Sequence, residues 1–408
     1  MPENWPQGAL IVLGASEEQI PLYQEARRRQ IPTIAVDMRS DAPAFPYADA
    51  TLKISTRDTD AITDALGDIR PAGIVCGASD AALASWHALA LHYGTAYRYP
   101  QSALAAGDKA AFHEIAASCG LTGYGWTASD NPDEVLTKAA QLRFPIMVKP
   151  VDGSGSKGVT HVTHPDHLPA AVARAHSYSA SRTVIAEEFL PGRPLAIEVF
   201  MHNGRAVMAC IKDKEFVGGG FVVKRLRTAH LPSATRDRIK ATVERLCRAL
   251  GITDGPANFD AVLGTDGHER IIEANARLGG DGVPRLLNAA YGVHVVRALI
   301  ALALGEPFGE HLAPTRAAHA ALELIGSPLT VKGELIAWEG VAEARTLPGI
   351  TDIELYAQAG DLVRPHDQSG HKIGLVVAAG ATAADASAAL DAASALIRPV
   401  IRPTDETQ

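Results

Sequence analysis

Cysteine is scarce in this chain. Cys76, Cys119, Cys210 and Cys247 are the only four in 408 residues, and they are scattered without zinc-like spacing. Three of them fall within apolar runs or on a helical face. Such a pattern excludes a disulfide framework and reads as reduced, buried thiols in a cytoplasmic protein. Long hydrophobic runs are also missing: none approaches the roughly 20 residues that span a bilayer, so no membrane partner is expected. The opening MPENWPQGALIVLG has neither the basic start nor the long apolar stretch of a secretory signal. Positive charge is in deficit, with 38 Lys and Arg against 46 Asp and Glu, a formal net charge of −8. Phosphate neutralisation takes a basic surface, so a general nucleic-acid binder is not expected. The turn Gly14-Ala15-Ser16 after the first apolar run is not a GxGxxG, and there is no Walker GxxxxGK[ST], no internal repeat, and no Ser-His-Asp or Cys-His set. What is there is an ordinary globular composition, 47% hydrophobic and 21% charged, long enough to predict two or three domains.

The first part of the chain alternates apolar runs with helical patterns. Residues 9–13, 31–36, a short run around Lys53 and Ile54, and residues 73–76 read as strands, with helices following the first and the last. That alternation predicts a parallel, doubly wound sheet over roughly 95 residues. The turns Gly14-Ala15-Ser16 and Gly77-Ala78-Ser79-Asp80 stand at strand ends, where an open α/β sheet presents loops to a substrate. Residues 108–119 form an amphipathic helix opened by Lys109, at a helix start that favours anions. Residues 235–250 read as a helix, with Ile239, Val243, Leu246 and Leu250 on one side. A long apolar helix is expected over 284–304. Composition shifts at 305–314, and beyond it strands at 319–324, 335–338, 353–356 and 373–378 precede a final helix over 383–397, a smaller α+β lobe. Residues 212–232 have little apolar periodicity. With Gly218-Gly219-Gly220 and Lys224-Arg225-Leu226-Arg227, they read as a mobile loop whose cations face anions, or equally as a solvated basic loop.

The chemistry concentrates in residues 257–281, ANFDAVLGTDGHERIIEANARLGGD. Asp266-Gly267 between apolar runs is a hairpin signal. A two-residue turn there places Asp260 opposite Glu273 and Asn258 opposite Asn275, with Glu273, Asn275 and Arg277 on one side. Opposed carboxylates weaken a sheet by about 0.2–1 kcal/mol. A divalent cation between them reverses the sign, and two carboxylates with an amide oxygen suit Mg²⁺ completed by phosphate and water. Upstream, the apolar run 144–150 ends in Lys149 and leads into Asp152-Gly153-Ser154-Gly155-Ser156-Lys157-Gly158. Backbone N–H groups of such a loop can approach phosphate oxygens, with the serines as added donors, although a flexible turn has the same composition. A buried lysine needs a partner, and a nucleotide phosphate would be one. In residues 184–190, Glu187 and Glu188 interrupt an apolar strand, where a carboxylate and backbone amides can read an adenine edge or a ribose hydroxyl.

Taken together, AAGDKAAF, IMVKPVDGSGSKGV, IAEEFLPG and NFDAV…IIEANARLGGD resemble the ATP-grasp superfamily over nearly the whole chain, with the L-amino acid ligases and related carboxylate–amine ligases closest in look. The resemblance implies an α/β fold: an N-terminal parallel doubly wound domain (1–104), a central ATP-grasp domain (105–310) and a small C-terminal α+β lobe (311–408). Residues 105–190 would hold the lid lobe and 191–310 the catalytic lobe. It implies an ADP-forming ligase that joins a small-molecule carboxylate to an amine through an acyl phosphate, as a homodimer, with ATP and Mg²⁺, or Mn²⁺ as a substitute. A carboxylase-like or purine-pathway ligase, or a non-catalytic nucleotide-binding protein, are the alternatives. Position by position, it gives Lys109, Lys149 and the loop Gly153, Ser154, Gly155, Ser156 and Gly158 to the phosphates. Glu187, Glu188, Phe189 and Leu190 go to adenine and ribose, and Asp260, Glu273 and Asn275 to the metal. Arg277 goes to the γ-phosphate and acyl group, and Gly279, Gly280 and Asp281 to the substrate pocket. Asp260 stands where glutamate is commoner. Arg227-Thr228-Ala229-His230 stands where an acid–x–x–His segment meets the substrate's amino group. Arg227 would therefore favour an activated substrate with an extra anionic group or a masked amine, and His230 would orient it or accept a proton.

Overall fold

The computed structural model describes residues 5–121, 123–153 and 155–404. Near the N-terminus, strands Leu10–Leu13, Thr33–Val36, Ala50–Leu52 and Gly73–Val75 form a parallel sheet, in the spatial order third, second, first, fourth. The first two strands are buried at every residue, as expected of a sheet covered on both faces. Two side chains pin the loops at its carboxyl end. Asp37 Oδ2 accepts from the Ala15 amide at 3.0 Å, and Gln19 Oε1 accepts from the Gly77 amide at 3.0 Å. These bonds fix the two turns that carry Glu18 and Asp80.

A four-stranded antiparallel sheet follows, ordered Trp126–Ser129, Val184–Glu188, Ile146–Pro150, Thr160–Val162. Helices Pro132–Ala139 and Leu168–Tyr178 cover one face, packing Val135, Leu168 and Val172 on Ile146, Val148, Val184 and Ala186. Strand alternation then turns Lys149 and Glu187 to the other face, away from this small core.

The largest sheet has eight antiparallel strands, running in space from Glu269–Asn275 and Gly255–Gly264 through Gly192–His202, Arg205–Phe216 and Val223–Thr228 to His319–Gly326, Lys372–Gly380 and Ile350–Leu355. The C-terminal strands thus continue the sheet of the site rather than standing apart. Asn203-Gly204 closes the 192–216 hairpin with φ of 51° and 71°, the left-handed pair that such a turn demands. A three-stranded sheet of Leu362–Val363, Gly333–Glu339 and Arg398–Pro403 completes the chain.

Three expectations change. Residues 212–232 hold a strand, Val223–Thr228, between two neighbours of the large sheet, not a loop. The apolar stretch 284–304 is two helices, Val283–Tyr291 and Val295–Ala303, bent by 114°. Gly292, at φ 67°, ends the first. Residues 398–403, beyond the last expected helix, where the polar composition predicts only a tail, are an edge strand. No single helix among the described residues is long and apolar enough to cross a membrane.

Candidate active site

The hairpin strands Gly255–Gly264 and Glu269–Asn275 pair Asp260 with Glu273 and Asn258 with Asn275. The turn itself is one residue longer than its sequence predicts. The Gly264 amide bonds the His268 carbonyl at 2.9 Å, and Leu263 pairs with Glu269, so Thr265, Asp266 and Gly267 form the loop. Left alone, that one-residue slip would turn every later side chain to the wrong face. A bulge corrects it: Ala261 pairs with Ile271 and Asp260 with Glu273, leaving Ile272 as the extra residue. Asp260, Glu273, Asn258 and Asn275 therefore share one face and line one cleft. Lys214 Nζ lies 2.8 Å from Asp260 Oδ2, and Lys109 Nζ lies 3.6 Å from Glu273 Oε1. Among the described residues no three His, Cys, Asp or Glu side chains cluster as a metal cage. Two facing carboxylates with an amide one pair away still fit a hard cation that draws its other ligands from phosphate and water.

Lys109 begins the helix Lys109–Ser118, whose N-cap Asp108 accepts from the Ala111 amide. Its Nζ also donates to the Gly153 carbonyl at 2.7 Å, tying the helix start to the glycine loop. Ser154 lies outside the described residues. In that loop Gly155, Ser156 and Gly158 have φ of 67°, 63° and 72°, and Ser156 Oγ donates to the Phe221 carbonyl at 3.2 Å. A Cβ on Gly158 would stand 2.8 Å from Tyr178 Cβ, so glycine is needed there for space as well as conformation.

Lys149 and Glu187 are buried and paired at 2.5 Å. The second Glu187 oxygen is bonded to His113, also buried, which stacks on Trp126 at 5.0 Å. Burial pushes the Glu187 carboxyl up, but Lys149 and His113 outweigh it and hold it down to about 2. Burial likewise lowers Lys149, while Glu187, Glu273 and Asp260 together keep it above its ordinary value. The carboxylate thus engages the lysine and the histidine, a partner for Lys149 that the sequence reading lacked. Glu188 pairs with Arg143 at 3.2 Å. Both acids, with Phe189 and Leu190, nonetheless line a cavity of about 450 Å³ beside Lys109, Lys149 and the glycine loop. His161 and Phe189, 4.7 Å apart, and Phe221 add aromatic walls to it.

A second cleft of about 320 Å³ adjoins the first. The two share Asp260, Glu273, Lys214, Gly155, Ser156 and Phe221. Asn275, Arg277, Gly279, Gly280 and Asp281 line this second cleft. Arg277 is gripped by Asp80 through two bonds of 2.7 Å. Burial lowers the arginine's pKa, and Asp80 more than reverses that, so Arg277 is a fixed cation. Beneath it, fully buried Glu198 accepts from the Gly279 amide at 2.8 Å, from Asn258 at 2.7 Å and from Lys212 at 3.3 Å.

Arg227 and His230 do not belong to this site. Arg227 pairs in register with Asp213, and both line a small cavity with Arg193 and His230. Lys212 and Lys214, the neighbours of Asp213 along the strand, line the substrate-side cleft instead. Adjacent strand residues face opposite ways, so Arg227 lies behind the sheet, where Glu215 holds it. In its place the site presents Lys212, Lys214, Glu18, Lys372 and His113, which no motif in the sequence marks, and Asp80, from the turn expected to face a substrate. The alternation Lys212-Asp213-Lys214-Glu215 was the available signal for a strand charged on both faces.

Two family models match: an ATP-grasp domain over residues 142–285 and the L-amino acid ligase C-terminal domain 2 over residues 328–402. Residues 142–285 are thus an ATP-grasp domain. The chain is 31% identical over 210 residues to a D-alanine–D-alanine ligase of Aromatoleum aromaticum, covering 49% of the chain and 65% of that protein. It is 24% identical to a formate-dependent phosphoribosylglycinamide formyltransferase of Parasynechococcus marenigrum, over 96% of the chain and 98% of that protein. The solved L-amino acid ligase of Bacillus licheniformis superposes with a TM-score of 0.81 at 19% identity, covering 98% of this chain and all of that one. At that identity the likeness concerns the fold. ATP is the nucleotide of the ATP-grasp superfamily.

Proposed function

We propose that this protein is an ADP-forming carboxylate–amine ligase, acting on small molecules as a homodimer, with residues 1–104, 105–310 and 311–408 as its working divisions. The observation that carries the proposal is the shared wall of the two clefts. Asp260, Glu273 and Lys214 border both, so a nucleotide in one cavity and a carboxylate in the other would meet there. In the first step a substrate carboxylate oxygen attacks the γ-phosphorus, forming the C–O–P link of an acyl phosphate as the bond to ADP breaks. In the second an amine nitrogen attacks the acyl carbon, phosphate leaves, and the amine's proton passes to solvent or a nearby carboxylate. Oxide is a poor leaving group and phosphate a good one, so positioning and charge neutralisation suffice without a protein nucleophile.

Lys109, Lys149 and the loop Gly153–Gly158 would hold the phosphates. Glu187 sets the position and charge of Lys149, and the 187–190 segment with His161 would flank the base. Asp260, Glu273 and Asn275 would hold Mg²⁺, which when bound neutralises phosphate charge. Arg277, anchored by Asp80, would face the acyl group. With Arg227 behind the sheet, the ground for an extra anionic group or a masked amine on the activated substrate falls away. The test is phosphate release with ATP, Mg²⁺ and a matrix of carboxylates and amines, with hydroxylamine to trap activated acyl groups and product masses to identify the bond formed. Glu273→Ala should lower turnover at least a hundredfold while leaving the melting temperature within a few degrees. Phosphate release with bicarbonate alone would replace this reading with a carboxylase-like one, and ATP binding without ADP formation would end it.

A further inference from the structure

A third cavity, of about 540 Å³, shares no lining residue with either cleft. It lies among the helix Ile20–Arg28, the bent pair Val283–Tyr291 and Val295–Ala303, and the edge strand Ile350–Leu355. Four guanidinium groups line it, those of Arg28, Arg285, Arg297 and Arg316, against two carboxylates, Glu25 and Asp352. Arg28 grips Glu25 through bonds of 2.8 and 2.6 Å, and Arg297 reaches the same carboxylate at 3.3 Å. Arg285 is held between Asp352 and Glu354. Arg316 is exposed, and among the described residues its guanidinium has neither an ion pair nor a hydrogen bond. Its backbone is fixed all the same, the Arg316 amide donating to the Tyr291 carbonyl at 3.2 Å.

Within the lining, four arginines against two acids leave two positive charges in excess, and Glu354 behind Arg285 reduces that to one. His294, another wall residue, registers the imbalance. Burial lowers its pKa, Arg297 and Arg316 lower it further, and Glu25 offsets them only in part, so the ring is neutral at pH 7 and leaves the count unchanged. Arg297 and Arg316 are the two arginines least committed to acids, and both act on this one ring, so they converge on one end of the cavity. A guanidinium fork matches the oxygens of a carboxylate or a phosphate two at a time. The space is that of a small-molecule pocket rather than of a bare ion. We propose that this cavity is a ligand site, distinct from the two clefts, for a small organic anion of one or two charges, a carboxylate or a phosphate ester, seated on Arg297 and Arg316. Such a ligand bridges helices from the N-terminal and central parts of the chain to a strand of the C-terminal part, so it stabilises the folded protein by mass action.

Calorimetric titration at fixed ionic strength, with ADP and Mg²⁺ saturating so that the nucleotide cavity is filled, tests the site without reference to turnover. Succinate serves as the carboxylate probe and glycerol 3-phosphate as the phosphate-ester probe. At least one should bind wild-type protein at a single site per chain and raise its melting temperature as its concentration rises. Binding of succinate alone identifies a carboxylate ligand, and binding of glycerol 3-phosphate alone a phosphate ester. Arg316→Ser removes a charge-assisted contact and should weaken binding about tenfold or more. Gln24→Glu, on the same wall, adds a carboxylate facing the anion and should weaken it to a similar extent. Both residues are exposed and neither side chain is hydrogen-bonded among the described residues, so each variant without ligand should melt within a few degrees of wild type. The second variant keeps the test decisive if the first folds poorly. No binding of either probe to wild-type protein overturns the proposal, and so does an affinity that both variants leave unchanged, since the anion would then sit elsewhere.

Discussion

Glu187 shows how one residue of a cavity can set the position and charge of another. Its carboxylate is shared between Lys149 and His113 inside the face of a four-stranded sheet. Losing it would strand a buried lysine, a change that typically costs about 3–5 kcal/mol. Because its folded pKa is depressed from 4.5 to about 2, its stabilisation is fully present above the unfolded value and disappears as pH falls through that interval. The linked stabilisation is on the order of 3 kcal/mol. Glu187→Gln should therefore be less stable than wild type at pH 7 by several kcal/mol, with the gap narrowing between pH 4.5 and 2. Urea unfolding across that range checks it, and a gap independent of pH would show that the carboxylate's charge is not what matters. Arg227 makes the opposite case. Placed behind the sheet, with Glu215 and Asp213 as its company, its replacement by Ala should alter kcat/KM less than threefold.

At the scale of elements, the acidic hairpin shows what a sequence discloses and what it withholds. Alternation and the Asp-Gly signal placed Asp260 opposite Glu273 correctly, but through a turn one residue too short. The bulge at Ile272 cancels that difference, and no local pattern marks it, because a bulge is decided by what the strand must face on both sides. Deleting Ile272 should remove the bulge yet keep Asp260 opposite Glu273 with phosphate release largely retained, and inserting a glycine between Asp266 and Gly267 should likewise be tolerated, since both changes lie on the turn side of the paired acids. Steady-state turnover of both variants checks this. The apolar helices and the parallel strands were legible because burial gives them a clear period. The strand Val223–Thr228 was not, because its Arg225 and Arg227 meet acids on one face, as Lys212 and Lys214 of the neighbouring strand do on the other. A strand whose charges are satisfied across a sheet has the composition of a solvated loop. Lys372 and Glu18 were invisible for a plainer reason: each is an ordinary charged residue until the fold brings distant segments together.

At the scale of the whole molecule, the Arg277–Asp80 pair joins the N-terminal sheet's loop to the end of the acidic hairpin across 197 residues of chain. A buried ion pair is poor evidence for stability in itself, since hydrophobic replacements of both partners are often neutral, whereas removing one partner leaves a charge without compensation. This asymmetry separates a structural role from a functional one. Asp80→Ala should cost about 3–5 kcal/mol in unfolding free energy and most of the activity. The double variant Asp80→Leu with Arg277→Met should regain much of that stability, because both charges are gone. If Arg277 faces the acyl group as proposed, activity should not return with it. Denaturant unfolding and phosphate release measured on the same preparations decide the matter. Recovery of both together would make the pair a strut between two parts of the chain and remove Arg277 from the chemistry, while stability restored without turnover would place the guanidinium at the reacting centre, with Asp80 as the group that aims it.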